Sequence, residues 1–312
     1  MKIRGTRVKR AQFSRALAIL LIATTIPAQA ASKPKQVKMT ELPTLVESNF
    51  FAGNGAQWFK TLLTKNSLFV IGTSEPAGGP TQAEVIAIDP RTGSSLWDLP
   101  IPTETDSIAT SATIDPTGNI WVLGLSSPAV PTNSPQPRPS GVPNPSGVTI
   151  EPTPATRADL SRITVWEVNP SGNLAATYQY DAGKVFNPQS ISFAKGLFLI
   201  AGSDFHLTLD QTGKFSKFVQ ASYVPPKKSS IDSFKDGLYI WKSYLTKSSI
   251  PGVVGWKPQK SERVILKVGS RTGTIYSAYK ASDELLSLDF LSGLGLAVTS
   301  QTPNGYAISL LK

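Results

Sequence analysis

One short pattern recurs five times along the chain and constrains its fold more than any other feature. Each copy is a tight turn followed by a run of hydrophobic residues that favour β-strands, and the five runs begin at Ser67, Asn119, Gly196, Gly237 and Gly293. A segment of alternating apolar and polar residues, such as 107–114, precedes each copy. Each copy therefore predicts a β-hairpin, and together the copies predict an all-β chain.

A second kind of turn follows four of the five hairpins. An Asp or Asn opens the first two of these turns and can accept a local backbone hydrogen bond, and the Pro that follows presets the next φ angle. All four end in a Gly that can take the positive φ that closes a hairpin. The four turns are Asp89–Gly93, Asn169–Gly172, Asp210–Gly213 and Ser270–Gly273. The two kinds of turn together predict units of four antiparallel strands.

Five such units, of roughly 47 residues each once two insertions are set aside, predict a five-bladed β-propeller of four-stranded antiparallel blades. The last unit lacks a final strand before Lys312. A strand from the N-terminal segment near Lys35–Val46 is expected to complete that blade and so close the ring. Pro43 fits this role only if the strand lies at an outer edge.

The stretch around Asp89–Gly93 carries a family resemblance. This turn has the form Asp-x-x-Thr-Gly, and Trp97 follows four residues after its glycine. The pattern resembles the repeat of pyrroloquinoline-quinone-type β-propellers, although Ala176, Lys217 and Ser277 stand at the Trp position in three other units. The resemblance implies a noncatalytic, scaffold-like propeller, because the adjacent cysteines of the quinone site are absent, and no cofactor is predicted.

Residues 1–30 have the three parts of a secretory signal peptide. A basic segment comes first, an apolar run spans 16–26, and Ala28-Gln29-Ala30 forms a small-x-small end. The run is too short to cross a bilayer as a helix, so we expect cleavage after Ala30 and a secreted or extracytoplasmic protein. The mature chain then has no transmembrane span. It divides into an N-terminal segment with the closing strand, 31–54, and the β-propeller, 55–312.

Charge and composition exclude several classes of protein. The full chain carries 31 Lys and Arg residues against 21 Asp and Glu residues, a net charge of +10, and much of that excess lies in residues 1–30. The mature chain is only mildly basic, which removes the main support for nucleic-acid binding. With no cysteine and a single histidine, His206, the sequence excludes disulfide scaffolds, thiolate metal sites and multi-histidine sites.

Alternating strand direction predicts that the long connections share one end of the ring. The tight turns lie at the other end, whereas the irregular crossovers and both insertions, 127–157 and 244–261, lie together. Long loops on a rigid scaffold are common binding sites, so we expect the ligand at this end. The insertion 127–157 contains nine prolines and is predicted to be disordered, either as a tether, a peptide ligand or a glycosylated segment, or as a tolerated surface loop.

The insertion 244–261 is basic and contains an aromatic residue. Trp256 lies beside positive charges, a combination that suits anionic sugars or phosphate-bearing envelope polymers. The alternative is a solvated rim that only keeps the loop in water. The predicted ligand-binding residues are Lys227, Lys228, Lys247, Trp256, Lys257 and Lys260. The predicted partner is an envelope polymer, a glycan or a protein.

A second hypothesis concerns acidic residues near the propeller axis. Four carboxylates are expected at or just before the innermost strands, an arrangement similar to that of five-bladed propeller glycosidases. They are Asp106, Asp181, Asp232 and Asp283, or Glu284 in place of the last. As catalytic residues they would make the chain a glycoside hydrolase, whereas bound calcium, water or turn capping are the other interpretations. The sequence favours a secreted, noncatalytic binding or scaffold module at the cell envelope over this enzyme.

Overall fold

The computed structural model describes residues 36–48, 57–76, 79–103, 105–128, 160–221, 231–281, 284–303 and 305–312. Within these ranges the chain forms 22 strands and no helix, as the repeated hairpins predict. Residues 36–312 belong to one compact unit. The predicted signal peptide and most of the insertion 127–157 lie outside the described residues. No described helix is long and apolar enough to cross a lipid bilayer.

Three four-stranded sheets are built in chain order, after two short strands, β1 (Val37–Glu41) and β2 (Val46–Ser48). Sheet 1 contains β3 (Gln57–Leu63), β4 (Leu68–Ser74), β5 (Gln82–Ile88) and β6 (Ser95–Pro100). Sheet 2 contains β7 (Ser107–Ile114), β8 (Ile120–Ser126), β9 (Arg162–Val168) and β10 (Leu174–Asp181). Sheet 3 contains β11 (Pro188–Ala194), β12 (Leu197–Gly202), β13 (Phe205–Asp210) and β14 (Val219–Gln220). Neighbouring strands in all three are antiparallel.

The N-terminal strands join the last two sheets. Sheet 4 draws on β15 (Ile231–Asp236), β16 (Tyr239–Thr246), β17 (Val253–Val254), β18 (Glu262–Gly269) and β19 (Ile275–Ala281). Its order is β15-β16-β18-β19-β1-β17, and β1 runs parallel to both of its neighbours. Sheet 5 contains β20 (Glu284–Leu291), β21 (Gly295–Thr302) and β22 (Gly305–Leu311). The antiparallel strand β2 completes it, with Val46 opposite Ile308.

The arrangement is that of a β-propeller, but the prediction of five four-stranded blades is wrong. Four sheets have the four strands of a blade, whereas sheet 4 has six and includes two parallel pairings. An N-terminal strand does complete the last sheet, but it begins at Val46, where the predicted segment ends. Residues 37–41 of that segment instead form β1, which extends sheet 4. Pro43 lies between β1 and β2 and belongs to neither strand.

Hydrophobic side chains fill four of the interfaces between sheets. Buried clusters join sheet 4 to sheet 5, sheet 5 to sheet 1, sheet 1 to sheet 2, and sheet 2 to sheet 3. Strands β4 and β8 are buried along their whole length, because their sheets have a neighbour on each side. Trp121, Trp166 and Trp241 lie buried in these clusters, so strand tryptophans pack between neighbouring sheets.

The interface between sheets 3 and 4 is different. Among the described residues, no hydrophobic cluster contains side chains from both sheets. Leu197 and Leu199, on the face of β12 opposite Phe198, are 43% and 42% exposed. On sheet 4, the corresponding cluster is covered in part by Ile250 and other residues of the insertion 244–261. We call this interface the seam.

The second turns have the predicted geometry and also connect neighbouring sheets. Gly172 has φ +84°, and the ring of Trp97 from sheet 1 lies where a Cβ on this glycine would be. The Trp97 indole donates a hydrogen bond of 3.2 Å to the Pro170 carbonyl in the same turn. Tyr178 of sheet 2 lies in the same way over Gly213 in sheet 3. An aromatic side chain of one outer strand thus docks on the glycine of the next sheet.

Candidate functional site

Both insertions leave the sheets at equivalent positions. The segment 127–157 joins β8 to β9 and the segment 244–261 joins β16 to β18, so each connects the second and third strands of its sheet. The crossover from β6 to β7 runs beside the same strand ends, because Pro100 pairs with Glu84 and Ser107 pairs with Ser126. We call this side of the sheets the long-loop end.

A cleft of about 440 Å³ opens at the long-loop end where sheets 4 and 5 meet. The ends of β16 and β19 and the starts of β18 and β20 form its walls, so the antiparallel pairing of sheet 4 fixes most of its shape. The lining residues are Leu245, Lys260, Ser261, Glu262, Arg263, Lys280, Ala281, Glu284 and Leu285. We call it the long-loop cleft, and its polar groups carry charges of both signs.

Two ion pairs hold cations of the long-loop cleft in place. The Arg263 guanidinium lies 3.5 Å from the Asp232 carboxylate and donates a hydrogen bond of 3.1 Å to the Ser243 hydroxyl. The Lys280 ammonium lies 2.9 Å from the Glu41 carboxylate of β1, and this hydrogen bond raises the pKa of Lys280. Both partners therefore restrict the positions of these cations.

The predicted ligand-binding residues divide into three groups. Lys260 lines the long-loop cleft, and Lys247 and Lys257 are exposed elsewhere on the same insertion. Trp256 is half-buried against the sheet 4 cluster, and its indole donates a hydrogen bond of 2.7 Å to the Glu262 carboxylate. Its ring therefore helps to anchor the insertion. Lys227 and Lys228 lie outside the described residues.

The three described carboxylates of the glycosidase hypothesis have separate local partners. Asp106 accepts a hydrogen bond of 2.8 Å from the Thr81 amide, Asp181 accepts one of 2.9 Å from the Gly183 amide, and Asp232 pairs with Arg263. Asp181 also lies on β10, the outermost strand of sheet 2, and not near an inner strand. Asp283 lies outside the described residues, and Glu284, the alternative to it, lines the long-loop cleft without any of the three described aspartates. No described cleft is lined by two of these four residues.

Sequence reasoning found part of the cleft and missed the rest. The basic insertion predicts Lys260, but Lys280 and Leu285 lie on β19 and β20, on either side of the crossover between two sheets. That crossover was recognised only as a loop at the binding end. A single residue at the end of a strand has no local sequence pattern that marks it as part of a site. The pairing of β18 with β19 is needed to bring Arg263 and Lys280 to the same cleft.

Buried charged groups also lie away from the long-loop cleft. Burial lowers the pKa of Lys60 and raises the pKa of Asp289, which accepts a hydrogen bond from the Leu63 amide between sheets 5 and 1. Burial, assisted by the carboxylate of Asp98, raises the pKa of Glu84 to about 7. These groups lie between or within sheets. Among the described residues, no cluster of three or more His, Asp or Glu side chains could hold a metal ion.

Comparisons with known proteins give weak similarities. No protein-family model matches the chain, and no curated protein matches it. A protein of unknown function from Bacteroides caccae is 14% identical, with a TM-score of 0.35, over 80% of this chain and 73% of that one. The Pan2 WD40 domain of Neurospora crassa is 14% identical, with a TM-score of 0.39, over 88% and 68%. The dihydro-heme d1 dehydrogenase NirN is 12% identical, with a TM-score of 0.32, over 81% and 44%.

Proposed function

We propose that the chain is an exported, noncatalytic binding module of the cell envelope. Its long-loop end would hold an anionic glycan or a phosphate-bearing envelope polymer. The observation that carries this proposal is the long-loop cleft, in which the ends of four strands from two sheets present fixed polar groups beside a basic insertion. Rigid sheets with a polar cleft at the end of the long loops are a common basis for recognition.

The distribution of charge supports a polymeric ligand over a small anion. Arg263 and Lys280 already have carboxylate partners, so the cleft itself is nearly balanced in charge. Lys247, Lys257 and Lys260 are exposed on the insertion. A polymer could place a polar sugar unit in the cleft while its phosphates or carboxylates contact these lysines, each contact being weak and salt-sensitive.

The location and the scaffold role rest on sequence features. The basic segment, apolar run and small-x-small end of residues 1–30 support export with cleavage after Ala30. The resemblance of Asp89–Gly93 and Trp97 to pyrroloquinoline-quinone-type repeats supports a scaffold. N-terminal sequencing of the exported protein is expected to begin at Ala31, and an intact Met1 would contradict export by this signal.

We do not extend the proposal to glycan cleavage. Glycoside hydrolysis needs two carboxyl groups about 5 to 9.5 Å apart on either side of the scissile bond. Asp106, Asp181 and Asp232 each have their own hydrogen-bond or ion-pair partner, and none of the described clefts joins two of them. The binding role therefore has the better support.

The experiment is a screen of the mature protein, residues 31–312, against an array of glycans and envelope polymers. For the ligand it identifies, the variant K247A/K257A/K260A is expected to bind about tenfold more weakly, since three exposed contacts of ~0.5 kcal/mol each are lost. The matched control K65A/R91A/R271A removes the same charge from exposed residues in the tight turns at the opposite end. Equal loss in both variants, or none in the first, would contradict the assignment of the binding end.

A further inference from the structure

A second cleft, of about 230 Å³, lies at the long-loop end of sheet 2. It lies between the crossover that precedes β7 and the ends of β8, β9 and β10. Its polar lining includes Thr103, Thr105, Ser127, Arg162 and Gln179. We call it the sheet 2 cleft. None of its lining residues belongs to the long-loop cleft.

One side chain that lines the sheet 2 cleft is charged, and its cross-strand partner on β10 is Asp181, which is not among the lining residues. Arg162 is the only charged residue among its described lining residues, and no described carboxylate forms an ion pair with it. Its guanidinium donates one long hydrogen bond, of 3.4 Å, to the amide oxygen of Gln179. Glu104 adjoins two lining residues in sequence but lies outside the described residues. Since a guanidinium has five donors in a planar fork, most of the donor capacity of Arg162 is unused by described partners.

A buried hydroxyl in the same cleft also lacks a partner. The Ser127 side chain is 5% exposed, and its Oγ makes no hydrogen bond within the described structure. The groups around it are held firmly, because the Ser127 carbonyl accepts a hydrogen bond of 3.0 Å from the Thr105 hydroxyl. The Ser127 amide donates one of 2.9 Å to the Asp106 carbonyl. A buried hydroxyl without a partner destabilises a protein by about 1–3 kcal/mol. The Ser127 Oγ is closed off from solvent in the unliganded cleft, so a ligand acceptor gains this hydrogen bond by a turn of the Ser127 side chain toward the cleft.

We propose that the sheet 2 cleft binds the carboxylate of a monosaccharide-sized ligand, such as a sugar acid. Arg162 would receive the carboxylate in a two-point contact, and Ser127 would donate to it or to an adjacent hydroxyl. The single positive charge matches a monoanion better than a phosphate dianion. The hydroxyl and amide groups of Thr103, Thr105 and Gln179 suit the hydroxyls of a sugar ring. The small volume restricts the site to one residue or to a chain end.

The test uses the mature protein and isothermal titration with three probes, which are glucuronate, glucose and inorganic phosphate. Glucuronate is expected to bind, with glucose and phosphate each at least about tenfold weaker. If phosphate binds as tightly as glucuronate, the cleft is a general anion site. If glucose binds as tightly as glucuronate, the carboxylate does not contribute to binding. Either result, or no binding of glucuronate, overturns the proposal.

Four variants place the binding at this cleft. R162Q is expected to weaken glucuronate binding at least about tenfold, and R162K to weaken it severalfold because the forked contact is lost. S127A is expected to weaken binding while leaving the unliganded protein as stable as before or more so, which a merely structural serine would not do. E104Q is expected to leave binding unchanged or to tighten it, and weakening by E104Q would contradict the charge assignment.

R263Q, in the long-loop cleft, is the control that separates this site from the proposed polymer site. Glucuronate binding is expected to survive R263Q and the K247A/K257A/K260A variant. Loss of glucuronate binding in these variants, with retention in R162Q, would overturn the proposal and assign the ligand to the long-loop cleft.

Discussion

At the residue scale, the glycine of each second turn has the same backbone role, but an aromatic ring from the preceding sheet packs against it in only two of the four turns. Gly172, Gly213 and Gly273 all have positive φ angles, which other residues take at a cost of about 1 kcal/mol. Trp97 and Tyr178 occupy the space beside the first two, whereas nothing lies within 4 Å of a Cβ placed on Gly273. The sheet before Gly273 is sheet 3, so this difference is located at the seam.

Alanine substitutions separate the two roles. We expect G273A to destabilise the protein by about 1 kcal/mol, from backbone strain alone. G172A and G213A are expected to cost about 2–4 kcal/mol, because the new methyl group also displaces an aromatic ring. Urea unfolding of the three variants measures the difference, and equal effects at all three positions would contradict the docking role.

Glu84 makes the stability of the protein depend on pH. Its pKa is raised from 4.5 to about 7, first by burial and then by Asp98, whereas Ser74 acts in the opposite direction. The folded state therefore binds a proton more tightly than the unfolded state. The free energy of unfolding is expected to fall as pH rises from 4.5 to 7, because burying the ionised carboxylate becomes unfavourable.

E84Q removes this titration. At pH 8 we expect E84Q to be more stable than the parent by about 1–2 kcal/mol, after allowance for partial solvent screening near the end of β5, and to lose the fall between pH 4.5 and 7. E47Q, at an exposed position of β2, is the control and should follow the parent curve. A parent protein with constant stability across this window would contradict the burial of a charged Glu84.

At the element scale, the least expected strand is β1. It pairs in parallel with β19, so that Met39 lies opposite Ala278, and the Met39 side chain is 7% exposed within the sheet 4 cluster. The turn that joins two antiparallel strands is a local sequence signal for the hairpin. A parallel partner more than 200 residues away leaves no such signal. The Asp-to-Gly turns predict the hairpins, and a strand is predicted near Lys35–Val46. No feature of residues 36–41 predicts that this strand pairs in parallel with β19 of sheet 4.

A single side-chain substitution in β1 tests whether this strand is part of the fold. We expect M39A to lower the free energy of unfolding by about 2–3 kcal/mol, through lost burial and a residual cavity. K38A, one position earlier and exposed, is expected to change it by less than about 0.5 kcal/mol. Denaturant titration compares the two, and an M39A variant as stable as K38A would show that β1 is not held in solution.

At the scale of the whole molecule, the sequence predicts the kind of sheet better than the way sheets meet. The strand Leu197–Gly202 reads like every other second strand, yet Leu197 and Leu199 are exposed at the seam. Burial depends on the neighbouring sheet, which alternation within a strand does not identify. The same limit applies to the sites. Lys260 belongs to a basic run that the sequence itself shows. Arg162 is a single charged residue at the start of β9, and the structure is needed to place the crossover between β6 and β7 beside it.

The seam affects how the sheets stabilise one another. Among the described residues, sheets 4, 5, 1, 2 and 3 share hydrophobic clusters in that order, and no cluster joins sheet 3 to sheet 4. In a closed ring every sheet has a packed neighbour on two sides, whereas in the described structure sheets 3 and 4 each share a hydrophobic cluster with one neighbouring sheet, as the end units of a linear array do. Cooperativity in such an array passes from neighbour to neighbour, and its ends fray first. Local unfolding is therefore expected to start in sheets 3 and 4 and to reach sheet 1 last.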